Sequence, residues 1–117
     1  MIEAKVKYDV LTAYTKKILM KMGYPEKQAD VTAWALVEAD ARGVNSHGVG
    51  RLEFYEGNIK NGFNVPAAEP EIVHETPLSV VVDGHHGVGA YVAQFAMNKA
   101  LDKAKTAGAG FAAGELL

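Results

Sequence analysis

The chain has 117 residues and carries 12 Lys and Arg against 14 Asp and Glu, so its formal charge is −2 at pH 7. Without an excess of positive charge or a basic stripe, a nucleic-acid partner is not expected. The chain contains no cysteine, which excludes disulfides, thiolate catalysis and cysteine-ligated zinc. Because no run approaches the ~18 apolar residues of a membrane span and the N-terminus lacks the apolar core of a signal peptide, we expect a soluble cytoplasmic domain without membrane contact.

Hydrophobic periodicity predicts two helices in the first third of the chain. The first covers residues 8–22 and ends at Gly23, where a left-handed backbone suits glycine. Five apolar side chains recur in it at steps of three and four and are expected to share one face: Val10, Leu11, Tyr14, Ile18 and Met22. Pro25 opens the second helix, which we expect to run to about Arg42 and to end at Gly43.

The remaining elements follow in a mixed order. We predict a loop at 43–50, a third helix that follows it and ends near 61–62, a proline-containing connector at 63–70, strands at 71–74 and 78–82, a turn at 83–84, a helix at 88–106 and a strand at 109–113. This order predicts an α/β fold, in which N-terminal helices precede a small β-sheet with one packed helix.

The loop before the third helix contains Ser46, His47 and Arg51, with glycines at positions 48 and 50. A glycine-containing loop that opens a helix presents backbone N–H groups and a positive dipole end, which suits an anion. His47 and Arg51 are four residues apart, so both side chains project from the same side if the helix starts at His47. The spacing therefore predicts a small acid-binding site at the opening turn of one helix.

This pair of side chains suits the interconversion of 2-hydroxy acids and 2-keto acids. Histidine titrates near neutrality and can take the hydroxyl proton or return it to the developing alkoxide. A planar guanidinium binds a carboxylate through two parallel hydrogen bonds. Ser46 can cap the helix or orient the substrate.

The same residues also fit purely structural roles. Ser46 or Asn45 could be only a helix cap, and His47 could be a surface histidine. Arg51 has three nearby carboxylates with which it could pair: Glu38, Asp40 and Glu56. The pattern alone leaves both interpretations open.

A longer motif surrounds these residues and resembles a known family. The run is Asp40-x-Arg42-Gly43-x-x-Ser46-His47-Gly48-x-x-Arg51-Leu52, followed in order by Tyr55, Ile59, Gly62, Pro70-Glu71-Ile72, Val82-Asp83-Gly84, Gly87-Val88-Gly89 and Ala104-x-x-x-Gly108. In these features residues 8–113 resemble the opening of the malate/L-lactate dehydrogenase family, which does not use the Rossmann fold. Ureidoglycolate and sulfolactate dehydrogenases, diketogulonate reductase and cyclic-imine reductases are members of that family.

The resemblance implies a nicotinamide-dependent oxidoreductase that acts on a small 2-hydroxy or 2-keto acid and uses NAD or NADP. It implies that His47 is the catalytic acid/base, that Arg51 binds the substrate carboxylate and that Ser46 lines the same pocket. It also implies a homo-oligomer, usually a homodimer.

The last residues depart from the family pattern. We expect residues 1–113 to be the N-terminal part of such a domain and residues 114–117 to be a tail outside the pattern. The family continues into a second functional histidine and most of its nicotinamide contacts. We therefore expect this chain alone neither to bind NAD(P) tightly nor to turn over substrate.

Two weaker patterns remain. Gly87-x-Gly89 follows a predicted strand and opens a helix, but Val92 stands where a dinucleotide fingerprint needs its third glycine, so no cofactor-binding residue is assigned. The adjacent His85 and His86 show no ligand spacing for a metal, and a turn beside a strand end fits them better.

Three functional hypotheses follow. The first is the dehydrogenase module described above. The second is a non-catalytic remnant that only self-associates through apolar surface left uncovered. The third is a small anion-binding domain that uses the helix start at Ser46.

Overall fold

The computed structural model describes residues 4–115. Its helices are α1 (Tyr8–Lys21), α2 (Glu26–Ala41), α3 (Leu52–Lys60) and α4 (Gly89–Ala107), and its strands are β1 (Glu71–Glu75), β2 (Ser79–Asp83) and β3 (Phe111–Glu115). Two single turns of 3₁₀ helix, Asn45–His47 and Val49–Arg51, precede α3. The predicted order of helices and strands is confirmed.

The junction between α1 and α2 depends on Gly23. Its φ of 110° lies in the left-handed region that favours glycine. The N–H of Gly23 donates to the Met20 carbonyl and that of Tyr24 to the Leu19 carbonyl, which closes the end of α1 in a Schellman arrangement. The reversal turns the Tyr24 side chain into the core beside Leu19.

The predicted apolar face of α1 is partly wrong. Val10 and Tyr14 are 55% and 64% exposed, whereas Thr15 and Leu19 are buried. The helix therefore packs against α2 through a stripe rotated by about one residue from the predicted one. Apolar side chains cover more than half the circumference of α1, and only the neighbouring helix decides which of them are buried.

The sheet is small and mixed. β1 pairs antiparallel with β2, and β2 pairs parallel with β3, in the order β1-β2-β3. Helix α4 connects the two parallel strands and covers one face of the sheet, where Val92 packs on Val80 and Val82. A three-stranded sheet with an antiparallel edge confirms the α/β prediction and differs from the six-stranded parallel Rossmann sheet.

The last strand is shifted from its predicted position. It begins at Phe111 rather than at 109, because Gly108 adopts a left-handed φ of 86° and Gly110 lies against the α4 backbone. It continues to Glu115, with Gly114 opposite Val82. The strand thus extends into the first residues of segment 114–117.

Helix α4 joins the two halves of the core. Val88, which precedes it, packs with Leu19 and Tyr24 among the N-terminal helices. Val92, one turn later, belongs to the cluster on the sheet. Leu52 and Tyr55, at the start of α3, pack on the cluster that contains Leu19 and Tyr24. Because α2 contributes to the same cluster, the loop between α2 and α3 is held at both of its ends. Between residues 4 and 115, no helix has the length and apolar character needed to cross a membrane.

Candidate functional site

The segment 43–51, which we term the linker loop, connects α2 to α3 and contains every residue of the predicted site. Gly43 begins it with a left-handed φ of 80°. The Val44 N–H then donates to the Ala39 carbonyl at 2.8 Å, and the His47 N–H donates to the Val44 carbonyl at 3.0 Å. The backbone of the loop is therefore tied both to α2 and to itself.

The predicted shared helix for His47 and Arg51 is wrong. His47 ends one 3₁₀ turn and Arg51 ends the next, while α3 begins only at Leu52. Gly48 separates the two turns with an extended backbone (φ −91°, ψ −159°). The Asp40 carboxylate accepts a hydrogen bond from the Val49 N–H. In a continuous helix that N–H would donate to a carbonyl one turn earlier, so the bond to Asp40 interrupts the helix.

Ser46 and His47 are both exposed and lie side by side. The Ser46 Oγ is 2.9 Å from the His47 Nδ1, and the direction of that hydrogen bond depends on the imidazole tautomer. The Ser46 side chain caps neither 3₁₀ turn nor α3, so the helix-cap interpretation is wrong. Within residues 4–115 no hydrogen-bond partner contacts Nε2, which leaves that nitrogen open to solvent.

Arg51 is half-buried, and its guanidinium lies over the Phe54 ring, with 4.9 Å between the guanidinium carbon and the ring centroid. Such stacking orients the planar group while leaving its N–H donors at the edge. In the described part of the chain no carboxylate lies within 4.0 Å of the guanidinium, so the three sequence-adjacent pairings are wrong.

Each of those three carboxylates is held elsewhere. Glu38 accepts from the Tyr8 hydroxyl at 2.6 Å and from Arg42, and these two hydrogen bonds lower the pKa of its carboxyl. Glu56 pairs with Lys60, whose ammonium lowers the pKa of that carboxyl. Asp40 accepts from the Val49 N–H, so among residues 4–115 none of the three carboxylates pairs with Arg51.

A groove of about 640 Å³ runs beside the linker loop. It is lined by Tyr8, Leu11 and Val37 from the helices and by Asn45 and Val49 from the loop, among others. Neither this groove nor the three smaller ones found elsewhere on residues 4–115 is lined by Ser46, His47 or Arg51. The three predicted site residues thus lie on accessible surface, next to a groove rather than inside it.

The backbone amides of the loop are mostly occupied. The N–H groups of His47, Gly48 and Arg51 donate to carbonyls, and that of Val49 donates to the Asp40 carboxylate. These four amides do not form the free anion site of the third sequence hypothesis.

Asp40 is the residue whose role sequence reasoning missed. The sequence suggests Asp40 only as an ion-pair partner for Arg51, whereas its carboxylate accepts from a backbone N–H nine residues away. No local pattern predicts such a contact. The one available signal was the motif itself, since both Asp40 and Gly48 belong to the run that resembles the family.

The adjacent histidines lie in a turn between β2 and α4, as predicted. His85 and His86 both have positive φ, of 50° and 63°. The Asp83 Oδ1 accepts from the His85 N–H at 2.8 Å, and the Glu71 Oε2 lies 2.8 Å from the His85 Nε2. Among residues 4–115, no group of three or more His, Asp or Glu side chains is arranged to hold a metal ion.

Comparisons with known proteins agree on one family. The family model described as malate/L-lactate dehydrogenase matches residues 6–115. The L-sulfolactate dehydrogenase of Methanocaldococcus jannaschii is 42% identical over 96 residues, which cover 82% of this chain and 28% of that protein. The malate dehydrogenase of Pyrococcus horikoshii is 39% identical over 107 residues, which cover 91% of this chain and 29% of that protein.

Solved structures give the same answer for the fold. The P. horikoshii malate dehydrogenase structure superposes with a TM-score of 0.88 at 37% identity, over 93% of this chain and 32% of that one. The delta1-piperideine-2-carboxylate reductase of Pseudomonas syringae superposes with a TM-score of 0.87 at 26% identity, over 97% of this chain and 34% of that one. The chain thus spans about a third or less of the length of these relatives.

Proposed function

The chain belongs to the malate/L-lactate dehydrogenase family, and we propose that its linker loop supplies the acid/base group and the carboxylate-binding group of an oxidoreductase. The substrate class is a small 2-hydroxy acid or the corresponding 2-keto acid, and the cofactor is NAD or NADP. His47 is the acid/base, Arg51 binds the substrate carboxylate, and Ser46 orients the imidazole.

One observation carries the assignment: the guanidinium of Arg51 has no carboxylate partner within residues 4–115, although three acidic residues nearby in sequence are engaged elsewhere. A half-buried cation that is held by an aromatic ring and lacks an ion-pair partner is a natural receptor for a carboxylate. The substrate acid supplies the missing partner.

His47 then handles the proton of the neighbouring hydroxyl. Oxidation of a 2-hydroxy acid requires that the hydroxyl proton leave as the carbon loses a hydride. In the tautomer in which the Nδ1–H donates to the Ser46 Oγ, the lone pair on Nε2 can accept that proton, and the imidazolium can return it in the reverse direction. Ser46 holds the orientation of the imidazole ring by this contact.

Residues 4–115 contain no Rossmann-type dinucleotide fingerprint. The turn between β2 and α4 has glycines at 87 and 89, but the place of a third glycine is taken by Val92, whose side chain is buried against the sheet. We therefore assign no residue to hydride transfer. We expect the purified 117-residue chain to oxidise no NADH or NADPH with oxaloacetate, and measurable oxidation would contradict this part of the proposal.

The carboxylate assignment is tested by titrating L-malate into the chain and measuring the affinity by calorimetry. Arg51→Ala should weaken binding by at least about tenfold, because charge-assisted hydrogen bonds are worth roughly 1.5–3 kcal/mol. Arg42→Ala is the matched control, since this exposed arginine pairs only with Glu38 in the described residues. Equal affinities for wild type and Arg51→Ala would refute the assignment.

Self-association is a second candidate property, favoured by the surface around β3. Among residues 4–115 this edge strand pairs only with β2, and its Phe111 is 64% exposed beside Met97 of α4, which is 59% exposed. A free strand edge next to apolar side chains is a site at which a second copy can pair. We propose a homo-oligomer through this surface. Light scattering after size-exclusion chromatography tests it, and a monomer at about 100 μM, a concentration at which even weak pairing is populated, would contradict it.

A further inference from the structure

Asp40 joins the end of α2 to the middle of the linker loop. Its Oδ2 accepts a hydrogen bond of 2.9 Å from the Val49 N–H, in a partly buried position. A bond from a backbone N–H to an ionised carboxylate is stronger than a neutral one. The bond fixes the start of the 3₁₀ turn that ends at Arg51.

Gly48 makes this bond possible by having no side chain. A Cβ at position 48 would lie 1.8 Å from the Asp40 Oδ1 and 2.1 Å from its Cγ, much closer than any real contact. The backbone there (φ −91°, ψ −159°) is open to any residue. Contact with the Asp40 carboxylate, rather than backbone strain, is what requires glycine.

The two residues that flank this contact are those of the proposed site. His47 directly precedes Gly48, and the Arg51 N–H donates to the Gly48 carbonyl at 3.0 Å. We propose that Asp40 is a positioning residue, which seats its carboxylate against Gly48 and thereby holds His47 and Arg51 in their relative placement. This inference rests on the proposed function, in which those two side chains share one substrate.

Four single variants separate this role from a general effect on folding. Asp40→Ala removes the carboxylate that accepts from the Val49 N–H. Gly48→Ala displaces that carboxylate, because the added Cβ would overlap with it. Asp40→Asn keeps an oxygen acceptor of the same shape and should rescue most of the loss. Gly50→Ala is the matched control for the loop, because a Cβ there meets nothing within 4 Å. Urea unfolding identifies the variants that retain the fold.

Two measurements are made on each variant: hydrogen exchange of the Val49 amide by NMR, and the affinity for L-malate. In Asp40→Ala and Gly48→Ala we expect Val49 exchange to accelerate by roughly tenfold or more. We expect malate affinity to fall by about tenfold, since small misplacements of binding groups have large effects. Asp40→Asn and Gly50→Ala should remain within about threefold of wild type.

The double variant Asp40→Ala/Gly48→Ala provides the sharpest control. The three atoms nearest to a Cβ at position 48 all belong to the Asp40 carboxylate group. Once that group is gone, adding Gly48→Ala to Asp40→Ala should therefore cost less than Gly48→Ala costs in the wild type. Additive effects would overturn the inference, as would Val49 exchange that is unchanged in Asp40→Ala.

The two proposals fail in different ways. Wild-type protein that binds no malate overturns the proposed function, while the Val49 exchange rates still decide whether Asp40 holds the loop. Faster Val49 exchange in Asp40→Ala together with unchanged malate affinity would overturn the positioning role and leave the binding site standing.

Discussion

Replacing Tyr24 with phenylalanine should make the protein less stable at neutral pH and more stable at strongly alkaline pH. Tyr24 is 3% exposed and packs under α3, the helix that begins directly after Arg51. Its hydroxyl donates to the Asn64 Oδ1 at 2.7 Å. Burial, and to a lesser degree the nearby Tyr55, raises the pKa of the Tyr24 phenol from 10.0 to about 12.

The sign and size of the effect follow from this pKa. The fold favours the neutral phenol, so its contribution is complete below pH 10 and is lost as the pH rises through about 12. One pKa unit corresponds to about 1.4 kcal/mol, so about 1.4 kcal/mol is lost by pH 11. At pH 8, Tyr24→Phe loses only the hydrogen bond to Asn64, at a cost of about 1 kcal/mol.

The two proteins should therefore be equally stable slightly below pH 11, and the variant should be more stable at pH 11 and above. Urea unfolding of both proteins at intervals from pH 8 to 12 measures the difference. Titration of the lysines and of the other tyrosines largely cancels in that difference. A gap between wild type and variant that stays constant over this range would refute the argument from burial.

Two further substitutions test the packing of α4 on the sheet. Gly110→Ala should lower the free energy of unfolding by about 2 kcal/mol or more, because its Cβ would lie 1.9 Å from the Ala100 carbonyl oxygen, a backbone atom that cannot rotate away. Gly89→Ala, where a Cβ meets nothing within 4 Å, should change stability little, and an equal loss in both would contradict the steric argument. Val92→Ala should cost about 2 kcal/mol by leaving a cavity against the sheet, and urea unfolding that shows no loss would contradict the assigned core.

The element order was predictable because its signals are local. Gly23 and Gly43 ended their helices as expected, since a left-handed residue is a property of a few consecutive positions. Adjacent β-branched residues likewise predicted the buried strand around Val80. Long-range packing was not predictable in this way: the buried face of α1 was decided by α2, which left Tyr14 exposed.

The residues of the proposed site were assigned from the sequence, but the backbone conformation around them was not predicted. Ser46, His47 and Arg51 stand out by residue type and spacing, and that spacing favoured one continuous helix. The structure has two short turns instead, because Asp40 takes the Val49 N–H across nine residues of chain. A contact of that length leaves no periodic pattern in the sequence.

The most direct test of the proposed function is an NMR titration of the ¹⁵N-labelled chain with L-malate, which follows the His47 ring signals and the Arg51 Nε–H together. If both side chains bind one substrate, both sets of signals should shift along one binding curve with one dissociation constant. Movement of the Arg51 signal with the His47 ring unaffected, or no movement of either, would contradict the account.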